Sequence, residues 1–306
     1  MASRGGIPLG NQRRADYGRG THRIDTPEFL LSPQAMAEHL RRTLTSPEYQ
    51  PPLLPSIALQ LMELTRQPQV RLSDVRQLLE RDSMLAARVL KLVQSALYSR
   101  GAPVRSLDEA ISLLGLRTLG ELFLQTVLST RVFRADGYEA AMTDLMRHST
   151  VAAHAARNAC RLTAIPDEYA FLCGLLHDVG MAAGLLIFAS PSRVGERQPA
   201  PPAFEEVASA LEVVHEEASG ILAEAWQLHP EVRLVLALHH RLQHGSHIHP
   251  LAAVICLADW AASEAGARFG SESSFDRAER AARHLGFSSA TLQGLVEHAR
   301  EIVALA

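Results

Sequence analysis

Residues 173–180 read Cys173-Gly174-Leu175-Leu176-His177-Asp178-Val179-Gly180, two ionisable side chains set together in an otherwise apolar run. A carboxylate or imidazole buried among Leu, Ala and Val is costly unless something pairs with it. An Asp in such a place can bridge two metal ions, one through each carboxylate oxygen. Taken alone the dipeptide is common, and Asp178 could equally cap a helix or pair with an arginine. Gly180 reads as the end of a helix.

Further out, the pattern recurs on both sides. Asp144 and His148 are spaced i, i+4 and share a helix face that Val151, Ala152 and Ala155 continue. His154 points elsewhere and reads as an ordinary, partly exposed histidine. His215 shares a face with Ala218, Ser219 and Leu222, while Glu216 and Glu217 turn away. His239 and His240 end the apolar run from Val232 to Leu238. Adjacent helical residues diverge by about 100°, so both reach one ion only if it lies between their directions. Asp259 stands in Val254-Ile255-Cys256-Leu257-Ala258-Asp259-Trp260-Ala261-Ala262, where an unpaired carboxylate would protonate or destabilise the fold.

One or two divalent ions are the simplest common partner for Asp144, His148, His177, Asp178, His215, His239, His240 and Asp259. Nitrogen and oxygen donors without thiolates fit Fe, Mn, Zn, Ni or Mg, and the mixture favours a transition metal. Two ions bridged by Asp178 would suit phosphate-ester hydrolysis, with Asp178 as the catalytic candidate. His244, His247 and His249 read as solvated loop residues.

The surrounding pattern is helical nearly throughout, so the expected class is all-α. Ser32-Pro33 reads as an N-cap followed by Pro at the first helical position. Amphipathic helices follow through Leu59 and Met62, through Val75 and Leu78, and through Leu85, Val89 and Leu92. Ser106 with Glu109 has capping-box spacing, and Thr118 with Glu121 repeats it. The helix–Gly–helix spacing around Gly115 invites a helix-turn-helix reading. The second helix carries Leu119, Leu122, Phe123 and Leu124 with few groups able to read base edges, which favours two packed core helices. Four segments are expected. A disordered, mildly basic tail spans 1–25 and an N-terminal helical half spans 26–138. The ligand-bearing helical half spans 139–265, with a proline-rich loop at 191–203, and closing helices spanning 275–285 and 288–305 lie within 266–306. No strands are expected.

Composition excludes several classes. The 306 residues are 47% hydrophobic with a net charge of −3, so bulk charge gives no reason to expect nucleic acid or an anionic membrane as partner. Lys91 is the only lysine, which argues against Schiff-base or P-loop chemistry. Cys160, Cys173 and Cys256 lie far apart in apolar runs and read as buried thiols of a reducing compartment. The start of the chain lacks a signal peptide's apolar core, and no apolar run approaches the roughly 20 residues that span a bilayer. The expectation is a cytoplasmic protein without a membrane.

The order His148, His177-Asp178, Asp259 resembles the HD metal-dependent phosphohydrolase superfamily, and more closely its HDOD branch (HD-related output domain). The resemblance begins at Leu53-Leu54-Pro55-Ser56-Ile57-Ala58. It continues through Ser83 to Tyr98 and through Ser106 to Arg117, then through His148-Ser149 and Leu175 to Gly180, covering about residues 50–262. It implies an HD-type helical bundle with an N-terminal helical subdomain, working as a bacterial regulatory module with a signalling protein partner. Many HDOD proteins lack the full metal set and have no established activity, whereas here the ligand positions are filled. His215 and the His239-His240 pair also match the order in HD-GYP cyclic-dinucleotide phosphodiesterases, and Asp144 stands where some of those carry a Glu ligand. Met181 stands where that pattern has Lys, and no GYP signature follows. Arg147 or Arg241 is left to supply the missing cation. Three functions stay open. The first is a regulatory module with a metal-stabilised core. The second is a metal-dependent phosphohydrolase acting on a phosphate ester or cyclic nucleotide. The third, least favoured, is a nucleic-acid adaptor using the basic tail.

Overall fold

The computed structural model describes residues 32–54, 56–64, 70–99, 101, 103–189, 200–270 and 274–305. The tail at 1–25 and most of the loop at 191–203 lie outside them. Within the described residues the chain is all-α, with one two-residue hairpin. The helices of the first part are α1 (Pro33–Leu44), α2 (Ser56–Leu64), α3 (Leu72–Glu80), α4 (Ser83–Val93), α5 (Leu107–Leu114) and α6 (Leu116–Arg131). Next come α7 (Glu139–Arg161), α8 (Ala170–Leu176), α9 (Val179–Ala189), α10 (Phe204–Ala225) and α11 (Pro230–Leu236). The hairpin β1 (Gln243–His244) and β2 (His247–Ile248) then leads to α12 (Pro250–Glu264), α13 (Phe275–Leu285) and α14 (Ser289–Leu305).

Local chemistry sets many of these boundaries. Ser32 Oγ accepts the Ala35 N–H with Pro33 at the first helical position of α1. Ser106 Oγ accepts the Glu109 N–H, and the Glu109 carboxylate reaches back to the Arg105 N–H, one residue short of a full capping box. Thr118 does not cap α6. Gly115 instead ends α5 and starts α6 at φ 77°, a conformation glycine adopts without strain, and the two helices bend by 118° there. Leu119, Leu122, Phe123 and Leu124 are all buried, as packed core helices require. The hairpin was not expected; it places His244 and His247 in exposed strands, and His249 caps α12.

α12 is buried from Leu251 to Ser263, as a helix apolar all round should be. It packs chiefly on α7 and also on α8, α13 and α14. α1 precedes α2–α6 in the chain yet packs mainly on α10, burying Met36, Ala37, Leu40 and Leu44. Tyr98, after α4, joins the first part to the second. Its hydroxyl lies 2.8 Å from His154 Nε2 on α7, and that ring meets Phe171 of α8 edge-on. Arg157 pairs with Glu121 of α6 and lies over the Phe171 ring.

α8 and α9 together are long and apolar enough to cross a membrane, contrary to the expectation that no run approaches that length. Nearly all of the stretch is buried inside the protein. It breaks at His177 and Asp178. Gly180 does not end a helix; it lies inside α9, where a Cβ would stand 2.1 Å from the His215 carbonyl oxygen of α10. On the other side a Cβ at Gly174 would stand 2.6 Å from Ala153 Cα of α7. Two backbone-to-backbone approaches therefore clamp the break from α7 and from α10. Ser219 of α10 completes it, its hydroxyl donating to the His177 carbonyl (2.8 Å) and accepting the Gly180 N–H (2.9 Å).

Ser219→Ala leaves both of those buried backbone groups without their partner. It should lower unfolding free energy by about 1–3 kcal/mol, read by urea denaturation. Burial, with His298 nearby, lowers His154 from 6.5 to about 4. Its contribution to stability is therefore present above pH 6.5 and is lost as pH falls through 6.5 toward 4. His154→Gln should flatten that acid-side loss by up to about 3 kcal/mol relative to the parent, measured by unfolding across the same window.

Candidate metal centre

The break between α8 and α9 puts Asp178 between two groups of imidazoles. One carboxylate oxygen, Oδ2, faces His177 Nε2 (3.3 Å) and His148 Nε2 (3.7 Å). The other, Oδ1, faces His239 Nε2 (3.4 Å) and His215 Nε2 (3.5 Å). Asp259, from the middle of α12, lies 3.3 Å from His148 Nε2 through Oδ1 and 4.0 Å from His240 Nδ1 through Oδ2. All of these groups are buried except His240, which is half-buried. Two sets of donors could each hold an ion. The first is His148, His177 and Asp178; the second is Asp178, His215, His239 and His240.

The ring hydrogen bonds orient the set. Nδ1 of His177, His215 and His239 lies 2.7–2.9 Å from the carbonyl oxygen three residues earlier, at Gly174, Glu212 and Leu236. Nδ1 of His148 lies 2.7 Å from the Ala267 carbonyl oxygen, beyond α12. A carbonyl only accepts, so each Nδ1 carries the proton and each neutral ring turns a lone pair inward at Nε2. Facing Nε2 atoms then stand 3.1 Å apart for His148 and His177, and 3.3 Å apart for His215 and His239. Lone pairs at that distance need a cation between them. Asp178 Oδ1 and His240 Nδ1 are also buried without a hydrogen-bond partner. The donor set fits divalent ions on these grounds.

Protons compete for the same lone pairs. Burial alone would lower His177 and His239, but the Asp178 carboxylate outweighs it and raises both. For His215 burial prevails and the value falls, and His240 is lowered by burial to about 2. Burial would raise Asp178 and Asp259. The surrounding imidazoles, His177 foremost for Asp178 and His148 for Asp259, instead hold both below the usual carboxylate range.

Asp144 does not join the group. It is exposed on α7, while His148 is buried. Spacing of i, i+4 leaves two side chains about 40° apart around a helix, and that offset carries Asp144 past the edge of the buried sector. Glu216 corrects the expectation that both glutamates turn away. Glu217 is exposed and pairs with Arg41, but Glu216 is half-buried and accepts the His240 N–H at 2.8 Å. It also pairs with the Arg241 guanidinium at 3.1 Å, fixing the segment that carries both histidines. Nothing in local spacing marks Glu216, because its partners lie across a helix pair.

A cavity of about 350 Å³ opens beside the cluster, with Asp178, His215, His240 and Asp259 in its wall. Met181 and Arg241 line it too. Arg147 is exposed and reaches the Gly266 carbonyl instead.

A model of the HDOD domain family matches residues 52–242. An uncharacterized protein of Treponema pallidum (strain Nichols) is 29% identical over 216 residues, 68% of this chain. The chain spans only 41% of that relative's length. Among solved structures, an HDOD domain protein of unknown function from Geobacter sulfurreducens superposes with a TM-score of 0.60 and 21% identity, over 88% of this chain and 91% of its own. A Shewanella amazonensis SB2B protein provisionally assigned as a metal-dependent phosphohydrolase gives 0.62 and 18%, over 89% and 99%. A Marinobacter aquaeolei VT8 protein provisionally assigned to signal transduction gives 0.66 and 19%, over 89% and 64%. At these identities the structural likenesses concern the fold, and the family model supplies the membership: the chain belongs to the HDOD domain family.

Proposed function

We propose that this chain is a bacterial, cytoplasmic signal-transduction module whose helical core holds two divalent metal ions and whose adjoining cavity receives a phosphate ester. The observation that carries this reading is the division of Asp178, one oxygen toward each imidazole group. His148, His177 and Asp259 would complete one ion's shell, and His215, His239 and His240 the other's. Asp144 stands outside this set. Two ions so held supply concentrated positive charge and Lewis acidity next to the cavity. The protein's own part is to aim the rings through their Nδ1 hydrogen bonds, to keep Asp178 and Asp259 ionised, and to leave one side open to a ligand. A signalling protein partner fits the signal-transduction assignment of the Marinobacter structure.

A second reading, phosphate-ester hydrolysis with Asp178 as the bridging residue, is favoured by the cavity's direct access to Asp178, His215 and His240. Turnover of bis(p-nitrophenyl) phosphate or a cyclic dinucleotide by Mn- or Fe-loaded protein separates the two. Hydrolysis abolished by Asp178→Ala supports the enzyme, and none in protein with ions demonstrably bound leaves the regulatory module.

Elemental analysis of protein purified without added metal should find about two transition-metal ions per chain, and Asp178→Ala should lose them. A chain that binds no ion would sink the two-ion centre. Chelation should lower the unfolding temperature, since an ion at a thousandfold its Kd stabilises by about 4 kcal/mol. Because protons on His177 and His239 displace the ion, metal affinity should weaken on acidification, read by titration at two pH values.

A further inference from the structure

The cavity beside the ion ligands has a wall that holds no ligand. Two arginines line it, Arg241 and Arg277 of α13. Arg241 is engaged with the Glu216 carboxylate and the Ala237 carbonyl. Arg277 is half-buried, and its side chain has neither a hydrogen bond nor an ion pair among the described residues. It stands in the first turn of α13, where the helix dipole works against a cation. A guanidinium partly removed from water and without an acceptor among the described residues is available to an anionic ligand.

We propose that Arg277 anchors the phosphoryl oxygens of the ligand that enters this cavity. The proposal rests on the two-ion reading and adds the group that recognises the ligand and the ligand's chemical class. A planar guanidinium offers two parallel N–H donors, the match for a phosphoryl group. At about 350 Å³ the cavity is small for a ligand site. It therefore takes the phosphoryl end of a small ester, with Phe269 and Val213 as its apolar wall.

The charges make this recognition conditional. Asp178, Glu212, Glu216 and Asp259 line the cavity against two arginines, so the metal-free site repels an anion. Phosphoryl binding therefore follows ion loading.

Calorimetric titration of the full Mn-loaded chain with inorganic phosphate, and separately with dimethyl phosphate, tests the proposal. Phosphate should bind the loaded chain. Arg277→Ala should weaken that binding about tenfold or more, with metal content unchanged, and Arg277→Lys should restore part of it. Arg241→Ala should weaken it less, because that guanidinium is already paired. Tighter binding of dimethyl phosphate supports a diester ligand, and tighter binding of inorganic phosphate a monoester. Unchanged affinity in Arg277→Ala with ions bound, or binding of neither probe by the loaded parent, overturns the proposal and leaves the metal centre standing. A parent chain that takes up no ion overturns both.

Discussion

The site depends on where four ring protons go. His148, His177, His215 and His239 each commit Nδ1 to a backbone carbonyl, and so each Nε2 must face the interior. Three of those carbonyls lie within the same turn as the ring they hold, so aiming is mostly local. Convergence is not local. It requires α8 and α9 to break between α7 and α10, where Gly174 and Gly180 let backbones approach more closely than any other residue allows. The ionisable pair thus sits at a point held from two sides rather than on a surface loop, which suits a centre whose ligands must not move.

Much of this organisation was readable in the residues because local chemistry decides it. Ser32 and Ser106 cap the helices they precede, and the two closing helices fall within a residue of their expected bounds. The misreadings share one cause, which is dependence on a neighbour distant in sequence. Gly180 resembles a helix stop but answers to the His215 carbonyl. Glu216 belongs on a solvent-facing arc until the His240 segment folds over it. Asp144 shares a helix stripe with His148 and misses the interior by part of a turn. Arg277 gives no signal in a sequence where arginines are plentiful, and only the cavity singles it out.

Proton and ion are alternatives at this centre. With Asp178 ionised among imidazoles, the protein can satisfy the carboxylate either by charging His177 and His239 or by holding divalent cations. The first choice places one proton on each side of the bridge, on His177 toward Oδ2 and on His239 toward Oδ1. The second would engage the opposed rings, His148 and His215, as well. Ions held there would tie α7, α10 and α12 to the break between α8 and α9.

The carbonyl that aims His148 belongs to Ala267, and the wall of the cavity includes Phe269, both past the end of α12. A chain cut at Glu264 would keep every donor atom yet leave one imidazole free to swivel and one flank of the cavity open to water. The connecting segment after α12 thus shapes both the aim of a ring and the entrance beside it.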